Sequence, residues 1–213
     1  MIVDIHTHHL SAGTFTAIRN LSFSEAETIF ASNENGLFSV GFHPWMANEF
    51  SSESFALLKK WIVDERLVFL GECGLDKNST TPVNQQLAVF EQQILLSELQ
   101  RKPLLIHCVG CYNELFSLKK KLNPRQLWII HGFRGKPQLA VQALNAGCAL
   151  SYGEHFNVES VRCTPLDKLF VETDESIVSI EEIYREIAVA KSCLVEDLSA
   201  GGAFISVLAK KTV

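Results

Sequence analysis

A chain of 213 residues with 47% hydrophobic and 20% charged side chains carries enough apolar material for one ordinary globular core, which excludes a disordered tail or a fibre. At this length a folded chain buries about 70% of the surface its unfolded form exposes, so neither disulfide nor metal is needed merely to hold it together. A net charge of -5 excludes a broad cationic field for non-specific nucleic-acid binding, though not a short grip on a nucleic-acid end.

The chain opens with an apolar run at 2–6, IVDIH, that predicts a strand. Asp4 and three histidines interrupt the unbroken apolar stretch a signal peptide needs, and no later run reaches the roughly 20 residues of a membrane span. Further strands are predicted by TFTAI (14–18), LFSVGF (37–42), LVFLGE (67–72), PLLIH (103–107), LWIIH (127–131), CALSY (148–152) and KLFVETD (168–174). Helical spacing occupies 52–64, 84–101, 111–121, 137–145, 180–191 and 202–211, with Leu87, Phe90, Ile94, Leu95 and Leu99 as the clearest apolar stripe. Six scattered cysteines read as thiols of a reducing compartment, so the cytoplasm is the expected location. No linker or low-complexity segment divides the chain, and 1–213 reads as a single domain.

Strands alternating with helices imply parallel pairing through right-handed crossovers, and near-continuous apolar strands imply a sheet covered on both faces. Eight such units predict an α/β fold of the TIM-like (β/α)8 barrel class. It is trimmed, because such a barrel typically takes about 250 residues and the first two strands are joined too closely for a full first helix. The alternative is an open doubly wound sheet, with its ligand crevice at a switch in strand order.

The ends of these strands carry the chemistry. His6 and His8 close the first, Glu72 the fourth, His107 the fifth, His131 the sixth and Asp174 the eighth. Residues two apart on a strand point the same way, so His6 and His8 converge while Thr7 faces elsewhere. A barrel delivers the C-terminal ends of its strands to one mouth. A single strand-end histidine reads more simply as a satisfied polar residue. Six metal-ligand types would need several unrelated buried partners, each costing about 1–3 kcal/mol if it failed, whereas one divalent centre satisfies them together. Imidazoles with carboxylates suit Zn, Mn, Fe, Co or Ni, with Mg fitting a looser second position.

These residues resemble a known family. MIVDIHTHHL is similar to the opening D-T-H-x-H-L of the TatD-family metal-dependent hydrolases, within the amidohydrolase-like barrel superfamily. SVGFHPW resembles the family's G-I-H-P, FLGECGLD its I-G-E-x-G-L-D, PLLIHC its P-V-x-I-H-S, IIHGFRG its H-C-F-S-G and FVETDES its L-E-T-D-A-P. The resemblance implies a TIM-like barrel and a metal-dependent phosphodiester hydrolase, usually a deoxyribonuclease. It implies one or two divalent ions held by His6, His8, Glu72, His107, His131 and Asp174, with Glu72 bridging. This chain departs from the pattern at Val109, where an arginine commonly follows the I-H-S motif, and at Glu175 and Ser176, where Ala-Pro is usual. The K-R-N-E-P segment is absent and the stretch before GFHPW is short. Hydrolytic chemistry is therefore better supported than DNA as the substrate.

The expected mechanism is attack by a metal-activated water, with Asp174 as proton acceptor and Glu72 beside it in the catalytic set. Arg134 is a candidate phosphate grip, and His43 and Asp76 are candidate substrate-side or positioning residues. Trp45 and Phe133 are candidates for stacking on a base, against a core role. His9 and His155 receive no role. Cys108 and Cys111 form a C-x-x-C at a strand-to-helix junction, a redox or zinc pattern only if a thiol pKa is lowered there. The substrate is a phosphodiester, with a DNA end among the candidates, or a small molecule. No membrane or obligate protein partner is expected. A metal-dependent amidohydrolase or esterase and a non-catalytic metal-stabilised scaffold are the alternatives.

Overall fold

Runs of β-branched and aromatic residues form strands that overlap the predicted ones, the second falling at Thr16–Asn20 against an expected 14–18 whose first residue lies outside the described residues, and side-chain caps at Ser22, Ser51, Asn157 and Ser179 start four of the helices. The structure is a computed structural model and describes residues 1–10 and 15–211. Among these, eight strands occur: β1 (Val3–Thr7), β2 (Thr16–Asn20), β3 (Leu37–Val40), β4 (Leu67–Asp76), β5 (Leu104–Val109), β6 (Trp128–Ile130), β7 (Cys148–Tyr152) and β8 (Leu169–Val171). The helices are α1 (Phe23–Phe30), α2 (Ser52–Trp61), α3 (Val83–Gln100), α4 (Tyr112–Leu122), α5 (Pro137–Asn145), α6 (Val158–Cys163), α7 (Ile180–Lys191) and α8 (Ala200–Lys211). No helix lies among the described residues between β1 and β2, in keeping with the trimmed barrel. No helix among the described residues is long and apolar enough to cross a membrane.

The strands make one sheet in the order β1-β2-β3-β4-β5-β6-β7-β8, without the switch in order that an open doubly wound sheet requires. Its ends also meet, because Asp174 N donates to His6 O at 2.9 Å and His8 N donates to Asp174 O at 3.1 Å. The fold is the TIM-like (β/α)8 class. Every residue of β1 and all ten of β4 are buried, as expected for parallel strands covered on both faces.

Two compact units make up the chain, one from the residues before Asn20 together with those from Ile130 onward, the other from Asn20–Ile129. In the first, Val3, Ile5, Leu150, Val171, Ile183 and Ile187 are core residues. Tyr184 on α7 fixes the start of β1, its hydroxyl accepting from Val3 N at 3.3 Å and donating to Val3 O at 3.0 Å. In the second, Val40, Phe69, Leu70, Phe90, Ile106 and Trp128 fill the core. Glycine is required where β4 passes β5: Gly74 has φ 136°, and a Cβ there would sit 2.1 Å from His107 O.

The apolar stripe expected along α3 is corrected by the structure. Phe90 and Ile94 are buried, but Leu95 and Leu99 are exposed, and the buried face instead includes Gln86 and Gln93. Both glutamines saturate strand-end backbone. Gln93 accepts from Phe42 N at 2.7 Å and donates to Phe42 O at 3.1 Å. Gln86 accepts from Asp76 N at 2.8 Å and donates to Asp76 O at 2.9 Å. Buried backbone groups demand partners, and these outweigh the apolar preference of the face.

Candidate functional site

In the unit built from both chain ends, β1 delivers His6, with His8 just past its end, and the segments after β6 and β8 deliver His131 and Asp174. His6 Nε2 is 3.5 Å and His8 Nε2 3.7 Å from the same oxygen, Asp174 Oδ1. The His6 ring is wholly buried and its centroid lies 4.5 Å from that of His131. Asp174 has φ 57°, a left-handed conformation that aspartate tolerates better than most residues, and both of its backbone hydrogen bonds hold it there. Asp4 ties β1 to the residue before it: Asp4 Oδ1 accepts from Thr173 N at 3.0 Å and Oδ2 from Thr173 Oγ1 at 2.6 Å. Burial pushes the Asp4 carboxyl up to about 6, against those hydrogen bonds.

This unit also contains a residue the sequence reading missed. Glu172, wholly buried at the end of β8, has Oε1 3.4 Å from His131 Nδ1 and accepts from Gly132 N at 2.5 Å. In the strand pattern it reads only as the carboxylate before Thr173; its burial was the missing signal. Arg134 is exposed and lines a cleft of about 340 Å³ together with Gly132, Glu172, Asp174 and Glu154. Phe133 packs against Tyr152 in the core, which removes it as a stacking candidate. His155 lies 4.0 Å from Glu154 and is mostly exposed. His9 is exposed.

In the unit spanning Asn20–Ile129, β4 supplies Glu72 and Asp76, β5 supplies His107, and a 3-10 turn at Pro44–Glu49 is capped by His43. Glu72 Oε1 lies 3.5 Å from His107 Nδ1 and 3.9 Å from His43 Nε2. Asp76 Oδ2 lies 3.2 Å from His107 Nε2 and accepts from Trp45 Nε1 at 2.7 Å. We assign the Nε2 proton of His107 to that bond, which turns Nδ1 toward Glu72. Burial pushes Asp76 upward, but hydrogen bonds from Asn78 N, Trp45 and His107 hold it below the usual carboxylate range. Asn20, also missed from sequence, accepts from Glu72 N at 3.1 Å and from Ser39 Oγ at 2.9 Å, fixing Glu72 from β2.

Both donor sets suit a divalent cation. His6, His8 and Asp174 form one group of mutually close ligand atoms, His131, Glu172 and Asp174 another, and His43, Glu72 and His107 a third. Metal–ligand bonds near 2.0–2.2 Å set neighbouring ligand atoms about 3.0–3.6 Å apart, close to the 3.5 and 3.7 Å seen around Asp174. The structure groups His43 with Glu72 and His107, residues of metal-ligand type. It buries Asp76 against His107 and Trp45. Of the C-x-x-C pair, burial pushes the Cys111 thiol up, the reverse of what redox chemistry needs at that residue.

A family model described as TatD related DNase matches residues 4–192. An uncharacterized metal-dependent hydrolase of Buchnera aphidicola is 31% identical over 157 residues, covering 69% of this chain and 58% of its own. A 3'-5' ssDNA/RNA exonuclease TatD of Erwinia tasmaniensis is 30% identical over 148 residues, covering 64% of this chain and 56% of its own. The chain thus spans less than two thirds of the length of either relative. The crystal structure of YJJV, a TatD homologue from Escherichia coli K12, superposes with a TM-score of 0.82 at 18% identity, covering 97% of both chains.

Proposed function

The chain belongs to the TatD-related DNase family, and from that premise we propose that it is a divalent-metal-dependent phosphodiesterase acting on the end of a single-stranded nucleic acid. The observation that carries this reading is the convergence of His6 Nε2 and His8 Nε2 on one oxygen of Asp174. The proposed ligands are His6, His8, Glu72, His107, His131 and Asp174, for one or two ions drawn from Zn, Mn, Ni, Co or Mg. A bound divalent ion supplies Lewis acidity that brings the pKa of water toward about 7.

The remaining steps belong to the protein. The Asp174 carboxylate, flanked by His6 and His8, takes the proton as water attacks phosphorus, the bond to the leaving ester oxygen breaks, and the proton is returned to that oxygen. Glu172 and Asp76 hold the rings of His131 and His107 so that the opposite ring nitrogens are presented. Arg134, in the cleft with Asp174, donates to a phosphate oxygen with its planar fork. The nucleic-acid end as substrate is supported by the activity named for the Erwinia relative. The cytoplasm is the proposed compartment, from the scattered cysteines.

The test is hydrolysis of bis-p-nitrophenyl phosphate and of a short DNA and RNA oligonucleotide, before and after chelation. Turnover that requires a divalent ion and disappears in Asp174→Asn, with the fold kept, supports the reading. Chelation-insensitive turnover overturns it, as does turnover of amides or esters alone.

A further inference from the structure

Trp45 is the one tryptophan at the surface: 60% of it is exposed, against 4% for Trp61 and 0% for Trp128. A lone exposed apolar side chain needs no explanation by itself. This one is pinned. Its Nε1 donates to Asp76 Oδ2 at 2.7 Å, the oxygen that also faces His107 Nε2 at 3.2 Å. Its backbone N donates to His43 Nδ1 at 3.2 Å, and its ring meets the His43 ring edge-on, with centroids 5.0 Å apart and planes at 89°. Of the two side chains that fix the indole, His43 faces Glu72 directly and Asp76 reaches it through His107.

A side chain held from both edges loses little further freedom when something stacks on it. The ring also stands at a fixed spacing from His43 and His107, so whatever lies on its face is positioned relative to Glu72. Lys77, the residue after Asp76, is exposed at the same strand end, its stem lying over Gly110, and brings a cation to this rim of an acidic chain. A flat π-face fixed against a cluster of metal-ligand type, with a cation at the end of the strand that carries Asp76, matches a nucleotide with its base and its phosphate.

We infer that the Trp45 indole, locked by Asp76 and His43, is the stacking platform for the terminal nucleobase of the substrate. The inference rests on the phosphodiesterase reading and adds to it the position of the base. Every base has a π-face, so the platform favours a base over no base without selecting a sequence.

Tryptophan fluorescence reads this directly, because the other two indoles are buried. The chelator-treated protein is titrated with a thymidine tetranucleotide and with the same tetranucleotide bearing an abasic 3' end. Saturable quenching by the first, at least ten-fold weaker for the second, supports the platform. Equal quenching by both probes, or none by either, overturns it. With metal restored, wild type is expected to favour the base-bearing end by roughly ten-fold in kcat/KM, Trp45→Phe to keep most of that preference and Trp45→Leu to lose it. A preference unchanged in Trp45→Leu overturns the platform while leaving the hydrolase reading intact. Absence of any phosphodiester turnover by wild type overturns the hydrolase reading, and the metal-free titration still decides whether a base stacks.

Discussion

Glu172 Oε1 lies 3.4 Å from His131 Nδ1, and the same oxygen accepts the Gly132 N–H at 2.5 Å. One buried carboxylate thus holds the turn that carries His131 and faces its ring. A carboxylate behind a histidine orients the ring and raises its basicity as a ligand, and losing such a partner typically costs about 10–100-fold in metal affinity. Glu172→Gln keeps an acceptor for Gly132 but loses the charge, so its expected effect is a drop of that size with the melting temperature nearly kept. Glu172→Ala also leaves the Gly132 N–H without its acceptor and loses about 1–3 kcal/mol of stability. Chelator competition and thermal melts check both; a Glu172→Gln protein with wild-type metal affinity would count against the positioning role.

Gln93 clamps both backbone groups of Phe42, the residue before His43. Gln93→Leu fits the buried site in size but leaves a buried N–H and C=O unpaired, with a loss of about 2–6 kcal/mol expected from two such groups. Urea unfolding measures it. A loss under 1 kcal/mol would show that the clamp is dispensable.

The difference between what the sequence exposes and what it hides follows from this kind of residue. Strand runs such as CALSY coincide with β7 because both faces are buried and the apolar signal is continuous. His6, His107, His131 and Asp174 stand out because ligand-type residues are rare at the ends of apolar strands. Gln93, Glu172 and Asn20 stay hidden because their work is to satisfy neighbours, and a polar residue satisfying a buried group looks in sequence like one facing solvent. Helix α1 was missed for another reason: its start is set by the Ser22–Glu25 capping box, while its eight residues are too few for a clear period.

The left-handed backbone of Asp174 separates two substitutions that remove the same charge. Asparagine tolerates φ near 57°, whereas alanine pays for its Cβ there by about 1 kcal/mol. In chelator-treated protein, Asp174→Asn is expected to melt close to wild type and Asp174→Ala several degrees lower. Both are expected to lose the proposed hydrolytic activity. Equal melting temperatures for the two variants would mean the local backbone relaxes freely, and that its conformation is not imposed by the bonds to His6 and His8.

Arg66 joins the end of α1 to the start of β4, and its contribution depends on pH in a direction that can be worked out. Its Nη1 donates to Ile29 O, Ser32 O and Glu34 O at 3.2, 3.1 and 2.8 Å, while Nε and Nη2 donate to Asp64 at 3.1 and 2.8 Å. The Arg66 hydrogen bond is the largest influence on Asp64 and holds its carboxyl below the ordinary range, against partial burial. A carboxylate whose folded pKa is depressed stabilises the fold fully above its unfolded value of about 3.9, and that share is lost as pH falls through the lower folded value. Arg66→Met is therefore expected to lose about 1 kcal/mol from the ion pair between pH 5 and 7, at the modest scale of exposed ion pairs, on top of the loss of its hydrogen bonds to three carbonyls. Below about pH 4 the gap to wild type should narrow toward the part owed to the three carbonyls, which do not titrate. Melting both proteins from pH 3 to 7 decides it: a gap that stays constant assigns the whole effect to the carbonyls, and one that widens in acid reverses the sign.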